Sequence, residues 1–398
     1  MGSINDDGQG RTAATSAKGG PASPEILGTI DGLGPLDVAA FMERYWQKEP
    51  VLLRAVFAAD FCPLNTADLV ELARNEEADS RLIVAGQWPP EIFHGPFEPD
   101  EFEDLPEGDW TLLVQEVDRL LPEVAPILDR FRFVPNWRVD DLMVSIAAPG
   151  GGVGAHTDQY DVFLIQGLGT RRWEIDPSPN TNPVWKEGSD VAVLEDFEAV
   201  QSWVLSPGDV LYLPPYVAHN GIALEECMTL SVGFRAPAGH EILASVVQYV
   251  TEDGGSARFR DPSPQVEHAP GRLLPYVLES LRADVRQLLA DDESLNRWIG
   301  RSLTEPARGR LGGFGEPVDC LPETGRLRPV STSQMAFASD GDGVTLFVAG
   351  SAYSLPADAE PLIAALTGVA GLDIPDLPSG ELRGILEALL LEGILRVV

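Results

Sequence analysis

His156 and Asp158 stand two residues apart in GGGVGAHTDQYDVFLIQGLGTRRWEI, residues 150–175, and His219 follows in PGDVLYLPPYVAHNGIA. The chain has only five histidines. Alone, a His-x-Asp tripeptide is a weak signal, and a satisfied core or turn histidine is its ordinary reading. Its surroundings change the weighing. Alternate residues of a β-strand share a face, so one strand would aim His156, Asp158 and Tyr160 into the same interior. His219 comes after a second apolar run bounded by Pro and Gly. Two imidazoles and one carboxylate form the facial set that suits Fe(II) and leaves positions open for a cosubstrate and for oxygen. His94, His240 and His268 lack such a setting and read as structural or surface residues.

An oxygenase that uses 2-oxoglutarate must also hold the far carboxylate of that diacid, which a basic side chain inside a barrel can do. In RRWEI, after the turn GLGT, Arg171 and Trp173 share one face and Arg172 takes the other. One arginine can therefore point inward. The plainer reading is a pair of exposed arginines.

The elements that would position these groups are legible as short runs over residues 130–235. DDLMVSIA, DVFLIQG, RRWEID, SWVLSPGDVLYLPP and MTLSVGFRA are separated by Gly and Pro, which predicts a sandwich or barrel. Upstream, LDVAAFMERYWQ predicts a helix with Leu36, Ala40, Phe41 and Tyr45 near one face, and VLLRAVF a strand. A second helix is expected in TADLVELARNEE with Thr66 as its cap, then a strand in RLIVAG. From 271 to 301 Leu274, Leu278, Leu281, Val285, Leu288 and Leu289 make an apolar stripe that Trp298 and Ile299 extend. It reads equally as intrachain core or as a helix–helix dimer surface. The last unit offers a hairpin in VTLFVAGSAYSLP, helices near 359–367 and 380–390, and a closing strand in GILRVV.

Composition limits the partners. Net charge is −34, and Lys18, Lys48 and Lys186 are the only lysines. Such a surface repels nucleic acid. Either it keeps the protein soluble in a salty cytoplasm or it steers a basic partner. The last unit carries nine acidic residues against two arginines, so DNA binding is a poor expectation. Cys62, Cys227 and Cys320 form no disulfide or zinc pattern, which fits a reducing cytoplasm, and Cys227 reads as core. No membrane span and no signal peptide are expected.

FMERYWQKEPVLLR, RFVPNWRVDDLMVSIAAPGGGVG, HTDQYDVFLIQGLGTRRWEI, LSPGDVLYLPPYVAHNGIALE and LSVGFRAP together resemble the jumonji-C ribosomal oxygenases of bacteria, over roughly residues 25–300. The resemblance implies an α+β chain. Its parts would be a polar tail over 1–25, a double-stranded β-helix (jelly-roll, cupin-type) over 26–239 and a helical dimerisation region over 240–305. A linker over 306–330 and a winged-helix module over 331–398 would follow. It makes His156, Asp158 and His219 the iron ligands and Arg171 the partner of the 2-oxoglutarate C5 carboxylate. It gives Asp141, Met143, Tyr160 and Ser231 to a pocket for a target arginine. Strand parity agrees, since Asp141 and Met143 share a face. The chemistry agrees too, since an acid pairs with guanidinium while Tyr and Met flank its stem. The implied activity is 3-hydroxylation of an arginine in the large-subunit ribosomal protein L-sixteen, with Fe(II), 2-oxoglutarate and molecular oxygen, by a homodimer. A histidine hydroxylase, a lysine demethylase, an oxygen-independent zinc or manganese cupin and a non-enzymatic winged-helix regulator are the rival expectations.

Overall fold

The computed structural model describes residues 25–27, 37–252, 258–260, 272–306, 317–318, 320–331, 334–378 and 380–398. The expected tail before residue 25, most of the expected linker, Leu36 and His268 lie outside these. Twelve strands come first: β1 (Glu25–Leu27), β2 (Val51–Arg54), β3 (Ser80–Val84), β4 (Glu91–His94), β5 (Trp110–Val114), β6 (Val139–Ala147), β7 (Asp161–Leu168), β8 (Arg171–Asp176), β9 (Gln201–Leu205), β10 (Val210–Leu213), β11 (Ala218–Ala223) and β12 (Cys227–Phe234). Helices α1 (Val38–Arg44), α2 (Thr66–Ala73), α3 (Pro99–Glu103), α4 (Val117–Leu120) and α5 (Ala125–Leu128) lie between the early strands. A nine-stranded sheet in the order β1-β2-β10-β7-β12-β6-β5-β3-β4 faces a three-stranded sheet in the order β11-β8-β9. Apart from the β1–β2 pair the ladders are antiparallel. This is the two-sheet, cupin-type arrangement expected.

The continuous apolar runs have a simple cause. On β7, Phe163 and Ile165 enter the core against α1 and α2, while Val162 and Leu164 enter the core between the two sheets. Strand β10 does the same, with Val210 and Tyr212 on one side and Leu211 and Leu213 on the other. Strands buried on both faces lose the polar alternation of a surface strand. Under α1 the aromatics close-pack: the Phe41 ring lies 5.0 Å from Tyr212 and 5.6 Å from Phe163.

Three local expectations need correction. Asn65, not Thr66, caps α2, because the Asn65 carboxamide oxygen accepts from Ala67 and Asp68 while the Asp68 carboxylate accepts from Asn65 N–H. Ala40 is exposed, and α1 buries Phe41, with Tyr45 at its C-cap, on its inner face. His156, Asp158 and Tyr160 precede β7 instead of lying on a strand. Of these only His156 forms a β-bridge, exchanging two backbone bonds of 3.0 and 2.9 Å with His219, while the Asp158 carbonyl accepts from Tyr216 N–H at 2.7 Å.

Beyond β12 come α6 (Gly239–Glu252), α7 (Pro275–Leu288) and α8 (Asp292–Thr304), then β13 (Arg326–Pro329), β14 (Met335–Ser339), β15 (Gly343–Val348), β16 (Ser351–Pro356), α9 (Glu360–Thr367), β17 (Leu372–Asp373), α10 (Glu381–Leu391) and β18 (Leu395–Val397). The apolar stripe is therefore interrupted at Ala290–Asp291. Trp298 packs inward with Val246 and Tyr249 of α6, whereas α7 buries none of its residues. The C-terminal unit has its own core around Leu327, Leu346, Ile363 and Leu386. It docks on the barrel through Arg132 and Asn136, which donate to the Thr367 carbonyl at 3.1 and 2.8 Å, and through Arg328 against Asp129 at 3.0 Å.

Asp118, on α4 beside this junction, is buried and accepts from Leu142 N–H at 2.9 Å. Burial pushes its carboxyl up to about 6. Its folded-state pKa thus lies above the unfolded value, so the native protein holds the extra proton between about pH 4 and 6, and stability falls as pH rises through that window. A shift of this size corresponds to about 3 kcal/mol at most. Asp118→Asn keeps an acceptor for Leu142 and is expected to flatten the pH dependence of thermal unfolding there; an unaltered slope would assign that dependence to other groups.

Candidate active site

The His156–His219 bridge brings the imidazoles together, with ring centroids 4.2 Å apart. Asp158 Oδ2 lies 3.5 Å from His219 Nε2 and 4.0 Å from His156 Nε2. Ligand atoms from all three residues fall within 4.8 Å of one another, and no other such cluster of three occurs among the described residues. Backbone carbonyls orient both rings: His156 Nδ1 sits 2.9 Å from Gly154 O and His219 Nδ1 3.0 Å from Val217 O. A carbonyl can only accept, so Nδ1 of each ring carries a proton and Nε2 is the nitrogen left to face inward. That is the tautomer a metal requires. Burial, followed by the neighbouring His156, lowers the His219 pKa to about 4, which keeps that imidazole neutral.

The three groups line a cavity of about 420 Å³ that the buried Arg171 also lines. Along β8 the alternation is strict. Arg171, Trp173 and Ile175 are buried, while Arg172 turns outward and pairs with Glu174 at 3.0 Å. Trp173 crosses the floor because its β11 neighbour is Gly221, where a Cβ would meet the indole at 2.7 Å. Arg171 Nη1 reaches only hydroxyls, Thr229 Oγ1 at 3.2 Å and Ser145 Oγ at 3.4 Å. No described carboxylate pairs with it, its Nε has no partner, and burial lowers its pKa. Thr111 Oγ1 and Trp173 Nε1, also lining the cavity, are likewise buried without partners. A buried cation beside unsatisfied donors is costly unless a ligand supplies the acceptors. A carboxylate is the fitting one. The donor set of the same cavity, two imidazole nitrogens and a carboxylate, suits Fe(II) equally well.

A second recess of about 440 Å³ adjoins the first and includes Asp141, Met143, Tyr160 and Ser231. Cross-strand register sets Ser231 opposite Met143 and Thr229 opposite Ser145. All four residues expected in the substrate pocket therefore stand at one recess. Tyr160 is at its mouth, where burial of its inner side and the charges of Asp158, Asp141 and Asp140 push its phenol above the ordinary value. Sequence reasoning missed Ser145, Thr229 and Thr111. Strand parity with Met143 and Ser231 was the available signal for the first two. His240 is exposed, as is His94 beside the recess, and Cys227 is buried.

Residues 126–242 match the JmjC domain family. The chain is 39% identical to the ribosomal protein uL16 3-hydroxylase of Escherichia coli over 268 residues, covering 67% of this chain and 70% of that protein. It is 38% identical to a probable ribosomal oxygenase of Haemophilus influenzae over 279 residues, 68% of each. The crystal structure of the E. coli protein YcfD superposes with a TM-score of 0.79 at 32% identity, over 92% of this chain and 99% of that one. A structure of that ribosomal oxygenase in complex with cobalt and 2-oxoglutarate gives 0.77, over 91% and 98%. Sequence, fold and the cavity with its His-Asp-His cluster agree: the chain belongs to the JmjC family of ribosomal oxygenases.

Proposed function

We propose that the protein is an Fe(II)- and 2-oxoglutarate-dependent hydroxylase that acts on carbon 3 of an arginine in ribosomal protein uL16. One observation carries the reading: a buried Arg171, paired with no described carboxylate, lines the same cavity as His156, Asp158 and His219. The name of the E. coli relative supports the substrate.

In this reading His156, Asp158 and His219 hold the metal. When bound, Fe(II) supplies oxygen activation coupled to decarboxylation of 2-oxoglutarate to succinate and CO2, which an unactivated C–H bond requires. The chain itself orients the reactants. Arg171 takes the C5 carboxylate, with Ser145 and Thr229 fixing the guanidinium and Thr111 and Trp173 offering further donors. Asp141 and Ser231 take the substrate guanidinium, and Met143 and Tyr160 flank its stem. Buried walls on β7, β8 and β12 exclude water. Incubating a uL16 peptide in air with protein, Fe(II) and 2-oxoglutarate is expected to add one oxygen to one arginine, as read by fragmentation mass spectrometry. Succinate formed with the oxygen on another residue type would move the substrate; neither product would remove the catalytic reading.

The helical region is the proposed homodimer surface. Leu278, Leu281 and Val285 of α7 are 43%, 42% and 58% exposed, a share ordinary for a charged residue but not for an aliphatic stripe on one face. Leu281→Asp is expected to convert a dimer to a monomer in light scattering, and an unchanged mass would reject α7 as the contact. The C-terminal unit, read as a winged helix, is acidic enough to serve packing or protein docking and not DNA.

A further inference from the structure

We propose that Gln115 is a positioning residue for substrate recognition, one that orients the Asp141 carboxylate and holds Arg81 away from it. The inference rests on the reading of Asp141 as acceptor of the substrate guanidinium.

Strand β6 bulges where it passes β12. Val232 pairs with Leu142 and Phe234 with Val139, so Asp140 and Asp141 together stand opposite Gly233. Val139 and Leu142 both reach the same core, which strict alternation over three residues would forbid. The extra residue turns both acids out of that core, the usual work of a bulge. Asp140 is engaged by Arg235 Nε at 2.9 Å. Asp141 is held differently. Its Oδ2 accepts from Glu116 N–H at 2.9 Å. The Gln115 amide lies between Asp141 and Arg81, and the sense assigned to it from these neighbours has its nitrogen donating to Asp141 Oδ2 at 2.9 Å and its oxygen accepting from Arg81 Nη2 at 3.1 Å, whereas the reverse sense would leave its nitrogen only the Met143 sulfur at 3.4 Å. Two donors on one oxygen fix the plane of the carboxylate. Oδ1 then faces Gly233, whose missing Cβ would stand 3.9 Å from it and 3.7 Å from Tyr160 Cε2. A side chain at position 233 would stand in van der Waals contact with Oδ1 and with the Tyr160 ring.

Arg81 lines the same recess, one amide away from Asp141. A direct Arg81–Asp141 pair would be charge-assisted and stronger than a bond to a neutral amide. It would also occupy the acid that the substrate guanidinium needs. Gln115 prevents this by chemistry as well as by bulk. Its oxygen satisfies the arginine and its nitrogen the carboxylate, and no charged side chain could serve both ends. Arg81 in turn fixes the sense of the amide, so that a donor always faces Asp141.

Steady-state kinetics with a uL16 peptide containing the target arginine test this. Gln115→Ala is expected to raise the peptide KM about tenfold or more, the equivalent of about 1.4 kcal/mol, without a matching rise in the KM for 2-oxoglutarate. Removing the intruding cation as well, in Arg81→Gln/Gln115→Ala, is expected to recover at least half of that loss on a logarithmic scale; two mutations acting independently would show no recovery. Gln115→Asn, too short to span both partners, gives the same reading if alanine destabilises the fold. An unchanged peptide KM in both single variants, or a double variant no better than Gln115→Ala, overturns the proposal. If the wild type leaves the peptide arginine unmodified, the Asp141 reading itself fails and takes this inference with it. Modification by the wild type, matched by Gln115→Ala, removes only the role of Gln115.

Discussion

Asp158→Ala is expected to lower 2-oxoglutarate-dependent turnover by a factor on the order of 1000 or more, because a bound cation contributes several kcal/mol to such chemistry. Asp158 is the one carboxylate of the cluster. Without it a divalent cation meets only the two imidazoles, with no anionic ligand; His219 is held neutral by burial and by His156. Hard divalent ions depend on oxygen ligands far more than soft ones do. The change also has a reading that needs no turnover. A metal that binds only the folded protein raises its melting temperature, so Co(II) added anaerobically should stabilise the wild type and leave Asp158→Ala unmoved. Asp158 lies 3.5 and 4.0 Å from the two imidazole Nε2 atoms, so its removal should change the stability of the metal-free protein little. Equal stabilisation of both proteins by cobalt would show that the cation binds elsewhere.

Arg171→Met carries the second large effect, on the cosubstrate. Removing one partner of a buried ion pair costs about 3–5 kcal/mol, so the KM for 2-oxoglutarate should rise roughly 100-fold or more. Met fills much of the guanidinium's volume, needs no acceptor and can still pack on the Trp173 ring, so the free protein should lose little stability; what it gives up is a buried cation hydrogen-bonded to two hydroxyls and set 5.3 Å from that ring's centre. Arg171→Lys is expected to fall between, since an ammonium keeps the charge but not the two-pronged fit to a carboxylate. A KM within a few-fold of wild type for Arg171→Met would place the anchor on another residue.

The site was legible in the sequence where strand parity and residue chemistry point the same way. Arg171 and Arg172 are chemically identical, yet the alternation of RRWEID separates the one that faces the cavity from the one that meets Glu174 outside. That Asp141, Met143 and Ser231 would share one recess followed from the resemblance, with parity agreeing for Asp141 and Met143 only. His156 and Asp158 were found for a reason only partly right. Proximity comes from the backbone exchange between His156 and His219, not from a shared strand, and the Gly-rich run before it carries no pattern that predicts such a bridge. Thr111 stayed hidden because a lone Thr on a strand is usually satisfied, and only the folded cavity leaves it unpaired. The bulge at Asp140–Asp141 is a register event between two strands 90 residues apart, which neither strand's own sequence announces. The break between α7 and α8 falls between the Leu289 C-cap of one helix and the Asp291 N-cap of the next, inside a stripe whose periodicity runs on past it.

The central claim is that one molecule of oxygen is divided between 2-oxoglutarate and an arginine held at Asp141. Turnover of the uL16 peptide under ¹⁸O₂, followed by fragmentation mass spectrometry, tests it directly. The account predicts one heavy oxygen on carbon 3 of a single arginine and one in succinate, both lost when 2-oxoglutarate is omitted. A peptide oxygen drawn from water, or labelled succinate beside an unlabelled peptide, would contradict it.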